Sequence, residues 1–324
     1  MTRKIALLQP VAEEMMGIIR RLLPDGFSAE AVTGRTPDDL KAMIADAEFA
    51  VWWDIPVTAD ILAAAPRLRL LHKWGVGIDN VDLDAARAQG VTVARTTGSN
   101  AVPVAEFAVG LMLALGRSIP RADASTKVGG WDKQGQWKRA RLLGGKTIGI
   151  VGFGAIGRMV ARRLSGFDAA LLYNTRRRLD AAEEAALGVE WRELDALLAE
   201  SDVVTLHCPL TPQTAGLIGA PQLARMKPGA LLINTARGGI VDEAALVAAL
   251  RSGHLGGAAV DVFDAEPPPP DHPLLSLDSV IVTPHCAATA YENSERSVRH
   301  WLSNIERAAR GEPIPDRDLV QPGG

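Results

Sequence analysis

The chain has 324 residues, 47% hydrophobic and 23% charged, with a formal net charge of −3 at pH 7. That composition suits a globular protein long enough for two cored domains, and the near-balanced charge argues against an electrostatic nucleic-acid or membrane binder. The two cysteines, Cys208 and Cys286, stand far apart and form no disulfide framework, which is compatible with a reducing compartment.

Arg3 and Lys4 lead into a short apolar run broken by Gln9 and Pro10, which reads as a first strand entering a helix and not as a signal peptide. Residues 5–8, 49–53, 68–72 and 91–94 are predicted strands, with helices between them at 37–47, 58–65 and 83–89. The apolar helix at 107–116 is flanked by Glu106 and Arg117 and is too short to span a bilayer, so a cytoplasmic protein is expected. The pattern restarts at Thr147, with further strands at Leu171, Val203, Leu231, Ala258 and Ile281. Such βα alternation requires parallel sheets covered on both faces, and two series of it predict an α/β protein of two doubly wound parallel-sheet domains. The prolines 267–270 form a stiff loop, because they can neither continue a helix nor serve a central strand. A helical stretch at 287–310 follows the last strand and returns to the first domain. That domain is therefore expected to be discontinuous, 1–100 with 287–324, with a dinucleotide-binding Rossmann domain at 101–286 inserted in it.

The dinucleotide assignment rests on Gly152-Phe153-Gly154-Ala155-Ile156-Gly157, which follows the β-branched run 146–151 and precedes a helical pattern at 159–164. The first glycine allows a tight turn and the second lets the backbone approach a pyrophosphate. The third lets helix and strand pack closely, so that the free N–H groups of the helix face the phosphates. The next strand ends in Asn174-Thr175-Arg176-Arg177-Arg178, without the acidic residue that usually accepts from the adenosine ribose; the first carboxylate beyond it is Asp180. Thr175 and Arg176 suit a 2′-phosphate in both hydrogen bonding and charge. NADP(H) is therefore expected over NAD(H), the alternative being that the arginines form a solvated helix start.

Three further segments carry chemistry. The buried strand Leu232-Ile233-Asn234 runs through Thr235 and Ala236 into Arg237-Gly238-Gly239, and an arginine at the carboxyl end of a strand in an α/β sheet lies where ligands bind. The others are Asp261-Val262-Phe263-Asp264-Ala265-Glu266-Pro267 and Val282-Thr283-Pro284-His285-Cys286-Ala287. Taken singly, Arg237, Glu266 and His285 also read as a strand cap, a loop acid and a turn residue. His207 and His285 each precede a cysteine, but no ligand spacing supports a metal site, and none is expected.

With Gly75-Val76-Gly77-Ile78-Asp79-Asn80-Val81-Asp82 and His207-Cys208-Pro209-Leu210-Thr211-Pro212-Gln213-Thr214 added, the ordered set resembles the D-isomer-specific 2-hydroxyacid dehydrogenase family through most of the chain. The resemblance implies a catalytic triad of Arg237, Glu266 and His285. Histidine titrates near neutrality and so can give a proton in reduction and take one in oxidation. A neighbouring carboxylate favours the imidazolium and fixes the ring, and the arginine suits a substrate carboxylate. The resemblance also implies that Gly75, Val76 and Gly77 form an anion nest for the substrate carboxylate. Cofactor contacts are implied from Val104, Gly152, Gly154, Ala155, Ile156, Gly157, Thr175, Arg176, His207, Pro209, Thr214, Thr235, Ala236 and Asp261.

The chain departs from the family in carrying Val51-Trp52-Trp53-Asp54 where many relatives have Arg-Ser, and Lys73 followed by Trp74 where arginine is common. Trp53, Lys73 and Trp74 are therefore candidate substrate contacts, with the tryptophans either walling the pocket or packing. Few cations stand nearby and no extra C-terminal regulatory domain is seen, which argues against phosphoglycerate. The expected activity is NADPH-preferring reduction of glyoxylate or hydroxypyruvate. Formate dehydrogenases share the architecture, but the resemblance implies glutamine there in place of Glu266. A nucleotide-sensing corepressor of the same fold is the alternative from another class. A homodimer is also implied, with residues 119–143 and their Trp131 and Trp137 as a candidate arm. Domain closure, with hinges near 100–103 and 287–290, is expected to exclude water from hydride transfer.

Overall fold

The short apolar runs predicted as strands leave no residue for a wet face, and a computed structural model of the chain, which describes residues 2–320, covers each sheet on both sides. The chain divides into two units, Met1–Asn100 with Thr289–Gly324, and Ala101–Ala288. The expected return of 287–324 includes residues 321–324, which lie outside the described residues.

In the first unit β1 (Arg3–Leu7), β2 (Phe27–Ala31), β3 (Phe49–Trp52), β4 (Leu70–Lys73) and β5 (Thr92–Arg95) form a parallel sheet in the order β2-β1-β3-β4-β5. Side chains alternate across it. Ile5, Leu7, Phe49, Val51 and Leu70 meet α1 (Glu13–Leu22) and the last helix, Tyr291–Arg310. Ala6, Ala50, Trp52 and Leu71 face α2 (Pro37–Ile44), α3 (Ala59–Ala63) and α4 (Leu83–Ala88). Capping explains the helix bounds. Thr36 and Asp39 form a reciprocal capping box with Pro37 inside the first turn of α2. The last helix stops at Gly311, whose φ of +73° suits glycine. β2 carries no clear signal in the sequence because it is a half-exposed edge strand with only one neighbour.

The second unit opens with α5 (Ala101–Gly116), α6 (Ile119–Lys127) and α7 (Lys133–Arg139). There follow β6 (Thr147–Val151), α8 (Ala155–Leu164), β7 (Ala170–Asn174), α9 (Ala181–Leu187), β8 (Val189–Trp191) and α10 (Leu194–Glu200). Then come β9 (Val203–Leu206), α11 (Ala220–Arg225), β10 (Leu231–Asn234), α12 (Glu243–Arg251), β11 (Gly257–Val260) and β12 (Val280–Val282). All seven strands are parallel, in the order β12-β11-β10-β9-β6-β7-β8. The apolar helix predicted at 107–116 is the second half of α5, whose Ala105, Ala108 and Met112 are buried in the core with Val160 and Ala161 of α8. β8 is another short edge strand without a sequence signal. No single helix among the described residues is long and apolar enough to cross a membrane.

The placement of residue 287 in the first domain is corrected. The Ala287 N–H donates to the Asp261 carboxylate at 2.9 Å, so the chain stays with the second unit until Ala288.

Candidate active site

Strand order in the second sheet reverses between β6 and β9, and the carboxyl edge at such a switch point is where open α/β sheets bind ligands. Gly152 lies there with φ +91°, and a Cβ added to it would overlap the Cys208 main-chain nitrogen. A Cβ at Gly157 would overlap the Gly152 carbonyl, whereas nothing stands within 4 Å of one at Gly154. Two glycines thus permit close main-chain packing, while the middle one leaves an open approach to the start of α8. No side chain caps that helix, so its first N–H groups stay available to an anion. Ala155 and Ile156 form its first turn, and Val104 is buried in the first turn of α5.

His207 and Thr235 follow directly on β9 and β10, which pair Leu206 with Asn234. The Nδ1 atom of His207 and the Oγ1 atom of Thr235 are buried without a hydrogen-bond partner. Burial pushes the His207 imidazole down to about 3, so the ring is neutral. Two orphaned polar atoms beside a glycine cradle fit a dinucleotide that supplies their partners. Thr214, expected at the cofactor, turns its hydroxyl to the Pro209 carbonyl at 2.6 Å and so closes the 209–214 turn.

At the end of β7 the three arginines differ. Arg178 grips Glu184 with two hydrogen bonds of 2.8 and 2.9 Å, and Glu184 also accepts from the Tyr173 hydroxyl. Asp180 caps α9 through the Glu183 N–H. Arg176 and Arg177 are exposed, beside a half-buried Thr175.

Arg237, Glu266 and His285 follow β10, β11 and β12, three neighbouring strands, so one edge of one sheet carries all of them. The His285 Nδ1 lies 2.7 Å from Glu266 Oε2, and the Phe263 N–H donates to Glu266 Oε1 at 3.0 Å. Burial pushes the Glu266 carboxyl up, but these two hydrogen bonds and the His285 and Arg237 charges outweigh it and hold it below its ordinary value. A carboxylate accepts only, so Nδ1 carries the proton and Nε2 is left for chemistry. The Arg237 Nη1 donates to the Ala236 carbonyl at 2.8 Å.

The hydrogen bonds that hold this group in place were not readable in the sequence. Asn234 accepts from the Ala236 N–H and donates to the Arg237 carbonyl, which shapes the turn that presents Arg237. Asp261, expected among the cofactor contacts, is fully buried. It accepts from the Thr283 hydroxyl at 2.6 Å and from the Cys286 and Ala287 N–H groups at 2.9 Å each, on either side of His285. His285 itself has φ +50°, a strained conformation for a residue with a Cβ, which this staple sustains. An anchor more than 20 positions away in the chain is set by strand register, which local patterning does not reveal.

In the first unit Trp52 is core, its indole N–H bonded to Asn80 at 3.0 Å. Lys73 is 5% exposed, and its ammonium bonds Asn80 Oδ1 at 2.8 Å and the Trp53 carbonyl, so it shapes the loop from within. Trp53 and Trp74 are half-buried and meet edge to face with ring centroids 5.0 Å apart, and Trp74 packs on buried Trp301. Of the three tryptophans, one is thus core and two form a half-exposed pair. Gly75 has φ +142°, and among the described residues no group accepts from the Val76 or Gly77 N–H.

Burial pushes the Cys208 thiol up to about 11, and burial with the Asp261 charge raises that of Cys286, so neither is a ready thiolate. Among the described residues no cluster of three or more His, Cys, Asp or Glu is arranged to hold a metal ion.

The family model for the D-isomer specific 2-hydroxyacid dehydrogenase NAD-binding domain matches residues 109–287. A D-3-phosphoglycerate dehydrogenase of Archaeoglobus fulgidus is 38% identical over 317 residues, covering 96% of this chain and 58% of that protein. The chain therefore spans little more than half the length of such relatives. A glyoxylate reductase of Korarchaeum cryptofilum is 42% identical over 266 residues, covering 81% of this chain and 79% of that one. Among solved structures, the NAD-dependent formate dehydrogenase of Staphylococcus aureus in complex with NAD superposes with a TM-score of 0.87 at 33% identity, covering 100% of both chains. By the family model and by these relatives, the chain belongs to the D-isomer specific 2-hydroxyacid dehydrogenase family.

Proposed function

We propose that the protein reduces a small 2-oxo acid of the glyoxylate or hydroxypyruvate type to the D-2-hydroxy acid, with NADPH preferred to NADH. The observation that carries this reading is the His285–Glu266 pair at 2.7 Å on the same sheet edge as Arg237 and the glycine cradle. The Gly152, Gly154 and Gly157 cradle with His207 and Thr235 would hold a nicotinamide dinucleotide, which would supply a hydride for the carbonyl carbon. His285 gives its Nε2 proton to the carbonyl oxygen and takes it back in oxidation. Glu266 holds Nδ1–H and balances the imidazolium before transfer, and Arg237 binds the substrate carboxylate and polarises the carbonyl. The first unit's Gly75-Val76-Gly77 backbone N–H groups are assigned to the same class of anion.

The likeness to a glyoxylate reductase supports the substrate class, and the phosphoglycerate dehydrogenases among the relatives make phosphorylated hydroxy acids the comparison to run. The test is loss of reduced-nicotinamide absorbance with glyoxylate, hydroxypyruvate, pyruvate, phenylpyruvate and phosphohydroxypyruvate. Turnover of the small unphosphorylated acids supports the reading. Cofactor binding without turnover of any acid sinks it and favours a nucleotide sensor.

Cofactor preference rests on the strand end without an acid and on Arg176, since Arg178 is held by Glu184. A charge-assisted hydrogen bond contributes about 1.5–3 kcal/mol, so Arg176→Ala is expected to raise the NADPH KM by roughly 10- to 100-fold while leaving NADH nearly unchanged. Equal effects on both cofactors would remove the case.

The homodimer belongs to the same proposal. Val128, Trp131, Trp137 and Leu142 are 86%, 84%, 80% and 67% exposed along one segment, and large exposed aromatics are the residues that anchor interfaces. A second copy of this chain is the proposed cover. Sedimentation should give a dimer that Trp131→Glu converts to monomer; a wild-type monomer at micromolar concentration would refute it.

A further inference from the structure

The loop that carries Glu266 is poorly held by apolar burial. Between Phe263 and Leu274, both buried, no hydrophobic side chain is buried, and Asp264, Ala265, Glu266 and Pro267 are exposed. A carboxylate that must meet His285 at hydrogen-bond distance therefore sits on a segment with little packing to fix it. What fixes it is polar and comes from α12. The Glu243 Oε1 accepts from the Asp264 N–H at 3.0 Å, and its Oε2 lies 3.0 Å from the His272 Nε2. The His272 Nδ1 accepts from the Leu274 N–H at 3.3 Å, so Nε2 carries the proton and donates to Glu243. Side chains at Glu243 and His272 are 17% and 13% exposed, which shields the bond from solvent.

One carboxylate thus clasps both ends of the 264–272 loop. The Phe263–Asp264 main chain also lies against Gly238, directly after Arg237, where an added Cβ would overlap the Phe263 carbonyl group. The Phe263 N–H that holds Glu266 Oε1 is one peptide away from the Asp264 N–H that Glu243 holds. Burial pushes the Asp264 carboxyl up, and the Glu243 and Asp242 charges add to that while His272 opposes it.

We propose that Glu243 is a positioning residue for the reaction: by clasping Asp264 N–H and His272 it sets the Glu266 carboxylate against His285. The inference rests on the proposed acid–base role of the Glu266–His285 pair. Misplacing a reacting group by about 1 Å costs on the order of 100-fold, so Glu243→Ala is expected to lower kcat about 10- to 100-fold, with the KM for acid and for cofactor within about twofold of wild type. His272→Ala, which opens only the far end, is expected to give a smaller loss of the same kind.

The experiment is a double-mutant cycle on the full chain, with steady-state kcat and KM for wild type, Glu243→Ala, Glu266→Gln and the double variant. If Glu243 acts through Glu266, adding Glu243→Ala to Glu266→Gln changes kcat less than about twofold. A merely structural role predicts equal losses in both backgrounds and a rise in KM, and either result overturns the proposal. Should Glu243→Ala not fold, the His272→Ala cycle with Glu266→Gln is read by the same criteria. If Glu266→Gln alone leaves kcat intact, the acid–base reading fails and the clasp with it; if Glu266→Gln is impaired and Glu243→Ala is not, only the clasp fails.

Discussion

His285→Ala is expected to lower kcat for 2-oxo acid reduction by about 100- to 10,000-fold, the range for removing a positioned general acid. Cofactor affinity should change little, because His285 and its partner Glu266 follow β12 and β11, which β10 and β9 separate from the glycine cradle at β6. Single-turnover reduction with saturating cofactor measures it, and a variant within tenfold of wild type would end the assignment. The partner carboxylate sets the pH behaviour. The Glu266 carboxyl is held below its ordinary value of 4.5, so it stays ionised while an unpaired glutamate would protonate. Its contribution to stability is therefore complete above that unfolded value and is lost as the pH falls through the lower folded one. Reduction should persist to the same acid limit, and in Glu266→Gln that limb of the pH profile should disappear.

Gly152→Ala is expected to damage the second unit and cofactor binding together. The residue has φ +91°, which costs a side-chain-bearing residue about 1–2 kcal/mol, and the new methyl would overlap main-chain atoms of His207 and Cys208. Main chain at the ends of two central strands yields little, so a total on the order of 3 kcal/mol is expected. For a domain of this size that is a melting-temperature fall of about 6–12 °C. Cofactor titration by nicotinamide fluorescence should show loss of affinity even well below the new Tm. Gly154→Ala, with nothing within 4 Å of the added carbon, is the control, expected to melt near wild type and to weaken cofactor binding only. Equal Tm values for wild type and Gly152→Ala would show that the cradle is looser than this geometry.

Much was legible in the sequence because it is written locally. Parallel strands buried on both faces appear as unbroken apolar runs, such as the one ending at Val151. A glycine turn between strand and helix can be read within a dozen residues. Arg237, Glu266 and His285 each follow a strand, so predicting three successive strands already brought their ends to one sheet edge. The edge strands Phe27–Ala31 and Val189–Trp191 were not legible, since a half-wet strand with one neighbour has no apolar run to give it away.

What the tertiary structure decided is which side chains are free to act and which are occupied. Sequence alone picked Arg176 out of a run of three arginines, and only the fold shows Arg178 tied to Glu184. Lys73 read as a substrate contact and is turned inward to Asn80 and the Trp53 carbonyl. Asp261 read as a cofactor contact and staples the segment around His285. The sequence thus determined the two parallel-sheet units, the glycine cradle and the residue types on its edge, because those follow from periodicity and spacing along the chain. The structure alone decided what orients them, because Asp261, Glu243 and His272 reach their partners across strand register and loop closure, and those distances are not written in any local stretch of residues.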